Sequence, residues 1–449
     1  MMELYIEIYH SGQWHQAAVL ELLQANKGRQ GAVRLIYDQV YALNWMYRDD
    51  EYACSLNLPV ELMLHHTADR WFGFMDDIVP AGASRRHWIT RLGISHLSRG
   101  EQDSLLLEKG AIAPVGNMRI RNALPSREAY DLLENRRFDI DDVVERQVDF
   151  LDYAQEMGAA SGGATGAGGE APKLILRCTK DDRIWIDTWQ DDPGQPDNFY
   201  LVKFPRGKMS LIDCDILRAE FHFYHELALL GVDSISVEGM RLIEGTRYPS
   251  LWLPRFDVMF ENKQIHRFGL ESVYSILNKE AGSFLNHFDV LQQLVSKLVD
   301  QYRVVERGEP FDQQRFVSQW LQRDLLNVIF ANSDNHGRNS AFLKTPDGIN
   351  LAPVYDFAPM KADPEGIIRT MKWGAPYEQG GEFNWLGITA ELESIADPER
   401  LMDDLRSLAA QLIGLRQRLE KRGVSEQLLT IPAMGMASIE SRLKRWRLI

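Results

Sequence analysis

The feature that most constrains this chain is a change of pattern near residue 270. Before it, short apolar stretches rich in β-branched and aromatic residues are separated by polar turns: KLILRC (173–178), RIWIDTW (183–189), FYLVKFP (199–205) and SLWLPRFDVMF (250–260). These read as strands. One helix, DILRAEFHFYHELALLGV (215–232), interrupts them and ends at Gly231. After residue 270 helical spacing takes over. FDQQRFVSQWLQRDLLNVIFAN (311–332) places Phe316, Trp320, Leu325, Val328 and Ile329 on one helix face behind an N-cap Asp312. Strands gathered first and helices second predict an α+β protein with two lobes of different character, not alternating βαβ units.

Upstream, MELYIEI (2–8) and AVRLIYDQVYALNWMY (32–47) read as strands of a small β-rich module. WFGFMDDIVPAGASRRHWITRLG (71–93) reads as a short helical turn, a Pro-Ala-Gly break and a second helix. Residues 126–157 form a charged helical arm. The expected division is 1–115 for the N-terminal module, 116–260 for the arm and a strand-rich lobe, and 261–449 for a helical lobe. A chain of 449 residues is long enough for two or three such units and a sizeable core. Three scattered cysteines, Cys54, Cys178 and Cys214, fit neither a disulfide framework nor a zinc site and suggest a reducing compartment. No apolar run reaches the roughly 18 residues of a membrane helix, and the first residues lack a basic, then apolar, leader. The expected location is therefore the cytoplasm, with no membrane partner. A formal charge of −14 argues against broad nucleic-acid binding by this chain.

The chemistry-bearing residues fall in a telling order. ANSDNHGRNSAF (331–342) sets Asp334 five positions before Asn339, with His336 between; LAPVYDFAP (351–359) then flanks Asp356 with Tyr355 and Phe357. Phosphoryl transfer needs a carboxylate to orient the attacking hydroxyl and accept its proton, which suits Asp334. It also needs hard oxygen ligands for Mg²⁺, which suits Asn339 and Asp356. Taken alone, Asp-Asn-His-Gly is also ordinary turn chemistry. Lys203 sits on an apolar strand, where a charge requires a partner; Glu220 on the following helix could supply one. A lysine there merely extending its head to solvent is the plainer alternative. The Gly-rich stretch GAASGGATGAGGEAPKLIL (158–176) reads by composition as a linker, yet it precedes the strand lysine where a phosphate-covering loop belongs. Gly-rich loop, strand Lys, helix Glu, Asp-x₄-Asn and aromatic-Asp-aromatic is the order of kinase machinery. A dinucleotide reading of GAGGEA fails, because a strand and not a helix follows it. No GxxxxGK[ST] occurs.

The set AGGEAPK (167–173), YLVKFP (200–205), RFD (255–257), SDNHGRN (333–339) and VYDFAP (354–359) resembles the HipA-type serine/threonine kinases of bacterial toxin–antitoxin modules. LNLPVEL (56–62) and FGFMDDIVPAGASRR (72–86) are similar to that family's N-terminal subdomain, and the resemblance covers roughly residues 1–360. It implies a bilobal protein-kinase-like fold and a kinase using ATP and Mg²⁺ on a protein hydroxyl. It implies phosphate contacts from Gly168, Gly169, Glu170, Ala171, Pro172, Lys173 and Lys203, and adenine contacts along a hinge at Pro254, Arg255 and Phe256. Asp334 would be the catalytic base, His336 and Asn339 would line the nucleotide site, and Asn339 and Asp356 would hold the metal. The implied partners are a small helix-turn-helix antitoxin (HipB-like) and a protein substrate, an aminoacyl-tRNA synthetase in the best-known relatives. DNA contact would be indirect, through the antitoxin. Arg85, Arg86, Arg91, Arg442, Lys444, Arg445 and Arg447 read mainly as solvated helix faces.

Three departures stand out. Pro254, which has no N–H, occupies a hinge position that is often acidic. Gly166 occupies the place of a regulatory serine, leaving Thr165 and Ser161 as nearby candidates for autophosphorylation. Ser333, not Arg, precedes Asp334, so an activation loop read through phosphate is not expected. A small-molecule phosphotransferase on the same scaffold, or an inactive kinase-like binding module, are the competing readings.

Overall fold

Strand β1 (Met2–His10) shows how the N-terminal module forms. Leu4, Ile6 and Ile8 share one face and are fully buried, while Tyr5 and Glu7 project to the other, as period-two patterning requires. β2 (Gln13–Leu22), β3 (Val33–Tyr37), β4 (His65–Ala68) and β5 (Met118–Ile120) complete an antiparallel sheet in the order β4-β3-β2-β1-β5. The computed structural model describes residues 1–112, 114–126, 136–156, 173–190 and 196–449. Ala18, Leu20, Val33, Leu35 and Tyr37 share one core with the helices Gly73–Ile78, Gly82–Arg91 and Arg99–Gly110. The expected turn, break and helix over 71–93 are present as the first two of these helices.

One expectation is corrected here. The stretch 32–47 is not all strand: residues Gln39–Trp45 form a helix. The Asp38 side chain accepts bonds from the Val40 and Tyr41 amides, which starts the helix. Val40 and Leu43 are largely exposed, so a composition suited to strands here sits on a solvent-facing helix. In the same way the helix expected over 215–232 runs from Leu211 to Leu229, because Ser210 and Asp213 form a capping box at its start.

Six strands make a second antiparallel sheet: β6 (Phe138–Asp139), β7 (Lys173–Cys178), β8 (Arg183–Trp185), β9 (Asn198–Lys203), β10 (Arg241–Glu244) and β11 (Pro249–Pro254), ordered β10-β11-β9-β7-β8-β6. Leu174, Leu176, Tyr200, Val202 and Trp252 pack on one face against Val143, Val144 and Phe150. A hairpin of β12 (Val258–Glu261) and β13 (Gln264–Arg267) follows. β14 (Gly269–Ser272) then pairs with a later strand, Ala341–Thr345, which pairs in turn with Gly348–Leu351.

Packing groups the residues differently from cuts at 115 and 260. One unit comprises Met1–Gly207, Glu238–Ala281 and Ala341–Ala352; the other comprises Lys208–Val237, Gly282–Ser340 and Pro353–Ile449. The segment 341–352 rejoins the first unit because β14 offers it a strand partner. The second unit is mostly helical, with Leu211–Leu229, His287–Val299, Gln313–Ile329, Pro398–Gln411 and Leu415–Arg422 as its main helices. Helix Gln313–Ile329 begins at Asp312, whose side chain accepts from the Arg315 amide at 2.9 Å.

Within the first unit, hydrogen bonds and close backbone packing join the N-terminal module to the strands around residue 270. Buried Glu271 accepts bonds from Ser55 Oγ, the Leu56 amide (3.0 Å), Ser275 Oγ (2.9 Å) and Lys344 Nζ (3.2 Å). Nearby, Gly73 lies against the backbone of Ser275. A Cβ at position 73 would stand 2.6 Å from the Ser275 Cα and 2.7 Å from its carbonyl oxygen. Backbone cannot yield as a side chain can. Gly73→Ala is therefore expected to destabilise this unit by about 1–3 kcal/mol, read as a lower urea midpoint with an unchanged slope.

Candidate active site

The chemistry-bearing residues of the second unit are organised by the buried helix Gln313–Ile329 and the loop that leaves it. After Ala331 enters a left-handed turn (φ 60°), Asn332 accepts the Asp334 amide on Oδ1 at 3.2 Å and donates through Nδ2 to Asn327 at 2.9 Å. This aims the loop. Asn339 Nδ2 donates to the Asp334 carbonyl at 2.8 Å and closes it. His336 stands inside the turn. Its Nδ1 lies 3.3 Å from both the Arg338 and Asn339 amides and accepts from them. That assigns the ring proton to Nε2, which faces Asp334 Oδ1 at 3.3 Å. The carboxylate of Asp334 is thus held on one oxygen while its side chain remains partly open to solvent.

Asp356 comes from the second chemistry-bearing segment. Its φ of +53° is uncommon for a residue other than glycine and marks a tight, locally imposed turn. The residues on either side fasten it. The Tyr355 hydroxyl donates to the Arg338 carbonyl, and the Phe357 amide donates to the Tyr224 hydroxyl at 3.3 Å. Phe357 also packs against Phe330 and Phe223. Tyr224 in turn donates to Glu220 Oε1 at 3.2 Å. Burial, then the carboxylates of Glu220 and Asp356, push the Tyr224 phenol well above its usual value. It stays a neutral donor between two acids. Asp334, Asn339, Arg323, Tyr355 and Phe357 line one pocket.

The donor set fits a divalent cation of the Mg²⁺ type. Asn339 Oδ1 is buried and has no hydrogen-bond partner among the described residues, while its Nδ2 is anchored on the Asp334 carbonyl. A buried carbonyl oxygen left without a donor is costly unless something else binds it. One amide oxygen and one carboxylate, Asp356, suit a hard ion that keeps waters and substrate phosphates as its other ligands. Among the described residues no group of three or more His, Cys, Asp or Glu could hold a metal by itself.

In the first unit, the face of the second sheet opposite its core carries the lysines. Lys203 is directly opposite Lys173 on β7 and Leu251 on β11. Residues opposed in an antiparallel pair project to the same side, so two ammonium groups share one face. Both are buried, at 3% and 8% exposure. Next along the same face come Ile175, Leu201 and Leu253, an apolar floor beside the paired cations. At the end of β11, the Arg255 amide donates to the Phe199 carbonyl at 2.9 Å. The Arg255 guanidinium pairs with buried Asp257, which also accepts the Gly116 amide. Of the three hinge positions read from the sequence, Pro254 has no N–H and Arg255 has committed its own to the sheet.

In the second unit the structure therefore gathers Asp334, His336 and Asn339 in one turn, tied through the Arg338–Tyr355 bond to the neighbours of Asp356, with Glu220 and Asp356 both close to Tyr224; in the first unit it sets Lys173 and Lys203 side by side. Pro254, Arg255 and Phe256 follow β11 in that first unit. Gly168, Gly169, Glu170, Ala171, Pro172, Ser161 and Thr165 lie outside the described residues. The pairing expected between Lys203 and Glu220 joins residues of different units.

Sequence reasoning passed over Asp324. It occupies the buried row Phe316, Trp320, Asp324, Val328 of its helix; an acid at that spacing was the available signal. Burial alone would raise its pKa. Arg369, His287 and the Trp373 indole N–H outweigh that and hold the carboxyl well below the usual carboxylate range. A depressed folded-state pKa contributes stability in full above the unfolded value of about 3.9, and that contribution disappears as pH falls through the folded value. The stability gap between wild type and Asp324→Asn in urea titrations is thus expected to be widest near neutral pH and to shrink below about pH 4.

Comparison with known families adds to this geometry. The family model described as the HipA-like C-terminal domain matches residues 165–413, more than half of the chain. The chain belongs to the HipA-like C-terminal domain family. Among solved structures it is similar to the HipA of a toxin–antitoxin system from Shewanella oneidensis MR-1, solved with HipB and its operator DNA. Identity is 16%, the match covers 99% of this chain and 97% of that one, and the TM-score is 0.61. That likeness extends the shared HipA fold to the N-terminal sheet, ahead of the family match. A weaker likeness links it to the Helicobacter pylori proinflammatory kinase CtkA, at 12% identity over 62% of this chain and 90% of that one, with a TM-score of 0.37. No curated protein matches. In this HipA-family chain the loop of Asp334 and Asn339 and the turn of Asp356 both fall within the matched span.

Proposed function

We propose that this chain is an ATP- and Mg²⁺-dependent serine/threonine protein kinase and the toxin of a toxin–antitoxin module. The observation that carries the reading is the buried Oδ1 of Asn339, partnerless among the described residues, whose amide is anchored on the Asp334 carbonyl and whose loop is linked through the Arg338–Tyr355 bond to the positive-φ turn of Asp356. Asn339 and Asp356 would hold the metal, which when bound supplies charge neutralisation at the phosphates. Lys173 and Lys203 are assigned to phosphate oxygens, with Ile175, Leu201 and Leu253 as the apolar surface for the base. Asp334 orients the substrate hydroxyl. The hydroxyl oxygen bonds to the γ-phosphorus, the bond to the bridging oxygen breaks, ADP leaves, and the hydroxyl proton passes to Asp334. Positioning and charge, without a covalent enzyme intermediate, provide the catalysis.

A HipB-like helix-turn-helix antitoxin is the proposed partner, with DNA reached through it. The state of this chain's own arginines agrees. Arg85 pairs with Asp103, Arg442 is largely buried over Trp446, and Arg445 pairs with Glu382. The proposed location is the cytoplasm; among the described residues no helix is long and apolar enough to cross a membrane. The proposed target is a cellular protein, an aminoacyl-tRNA synthetase among the candidates.

The test incubates the purified chain with γ-labelled ATP and a cell lysate, with Mg²⁺ or with a chelator. Label on Ser or Thr of a protein band, abolished by the chelator, supports the reading. Label found only in the low-molecular-weight fraction would instead assign a small-molecule phosphotransferase, and no transfer at all would point to a binding module.

A further inference from the structure

The buried Asp324 knot does more than fill the core. Its Oδ1 accepts from Asn335 Nδ2 at 3.0 Å and from Arg369 Nη2 at 2.9 Å. Its Oδ2 accepts from Trp373 Nε1 at 2.8 Å and from the same Arg369 nitrogen at 3.2 Å. His287 accepts the Trp320 indole N–H on Nδ1 at 2.9 Å, which leaves its Nε2–H facing Asp324 at 3.5 Å. One carboxylate therefore grips two segments. The first is the loop of Asp334, through its next residue, Asn335. The second is the segment after Asp356, through Arg369 and Trp373.

The grip is doubled on the backbone. The Asn335 carbonyl lies 3.3 Å from both the Thr370 and Met371 amides and accepts from them. Met371 also pairs in parallel with Leu285, whose amide donates to the Thr370 carbonyl at 2.9 Å. Arg369 is itself fixed, with Nε 3.4 Å from Glu378 and its guanidinium over the Phe383 ring at 5.5 Å. Asn335 stands between Asp334 and His336, so its side chain and carbonyl together set the backbone from which both project.

We propose that Asp324 and Arg369 are positioning residues for Asp334, a permanent ion-pair staple that holds the segment after Asp356 against the catalytic loop with no need of phosphorylation. In kinases that order this segment by a new charge, a phosphate recruits arginines. Here Asp324, supplied by the core helix, already provides the negative charge, and Ser333 stands where an arginine would read a phosphate. The inference rests on the kinase reading above, and its test separates the two.

The full chain is compared as wild type, Arg369→Ala, Arg369→Lys and Asp324→Asn. Steady-state kinetics are combined with nucleotide–Mg²⁺ affinity and amide hydrogen exchange. Arg369→Ala is expected to lower kcat by roughly 10–100-fold while leaving nucleotide affinity unchanged. It is also expected to speed exchange at residues 334–339 and 370–373 ahead of the rest of the unit. Arg369→Lys should recover most of kcat, and wild type bearing no phosphate on residues 358–373 by intact mass should turn over fully. Wild-type kcat in both folded Arg369→Ala and Asp324→Asn would overturn the staple. So would activity that appears only once residues 358–373 carry phosphate. If wild type transfers no phosphate, the kinase reading fails and exchange alone decides: faster loop exchange in Arg369→Ala supports the staple, and unchanged exchange refutes it.

Discussion

Asp334→Asn is expected to leave a folded chain that binds nucleotide as wild type does and turns over about 10²–10⁴-fold more slowly. The substitution is isosteric, so the backbone bond to Asn332 is untouched and the His336 Nε2–H that faces the side chain can still be accepted by an amide oxygen. What it removes is the capacity to take a proton. Because the loss falls on the transition state and not on ground-state binding, kcat should drop with little change in KM for ATP. Single-turnover phosphoryl transfer with calorimetric nucleotide binding checks both halves. Wild-type kcat in Asp334→Asn would remove Asp334 from the role of base.

Glu271→Ala should cost about 3–5 kcal/mol of stability, the largest effect expected at any position remote from the site. Glu271 accepts from two serines, one amide and one lysine, and all are buried or nearly so. Deletion strands Lys344, a 2%-exposed ammonium that keeps, among the described residues, only the Ala53 carbonyl at 3.1 Å. The penalty comes from that orphaned charge more than from the lost bonds. Replacing both partners, Glu271→Leu with Lys344→Met, should therefore recover a large part of it. Urea unfolding of the two single variants and the double variant measures the coupling; a double variant no better than the sum of the singles would show that the serine and amide bonds dominate.

Much of the candidate site is legible because its signals are local. Asp334, His336 and Asn339 occupy one turn, so residue type and spacing already express their relation. Lys203 was conspicuous as a charge inside an apolar strand. Asp356 was marked by its aromatic neighbours, and those aromatics prove to be its fasteners, Tyr355 through Arg338 and Phe357 through Tyr224. The misreading at 39–45 is also local, a contest between two short-range signals. Val40, Leu43 and Trp45 have strand-like composition, but a single cap at Asp38 outweighed it.

What the sequence alone determined is the set of groups able to do chemistry and the kind of local element bearing each, because spacing within a turn, a strand or a helix is a short-range property of the chain. Which distant groups meet was decided only in three dimensions. Strand register set Lys173 opposite Lys203, burial of one helix row brought Asp324 to Arg369 and Asn335, and strand pairing returned Lys344 to Glu271. Such meetings depend on which faces pack and in what register, and a slip of one residue in a strand would turn every one of its side chains to the other side.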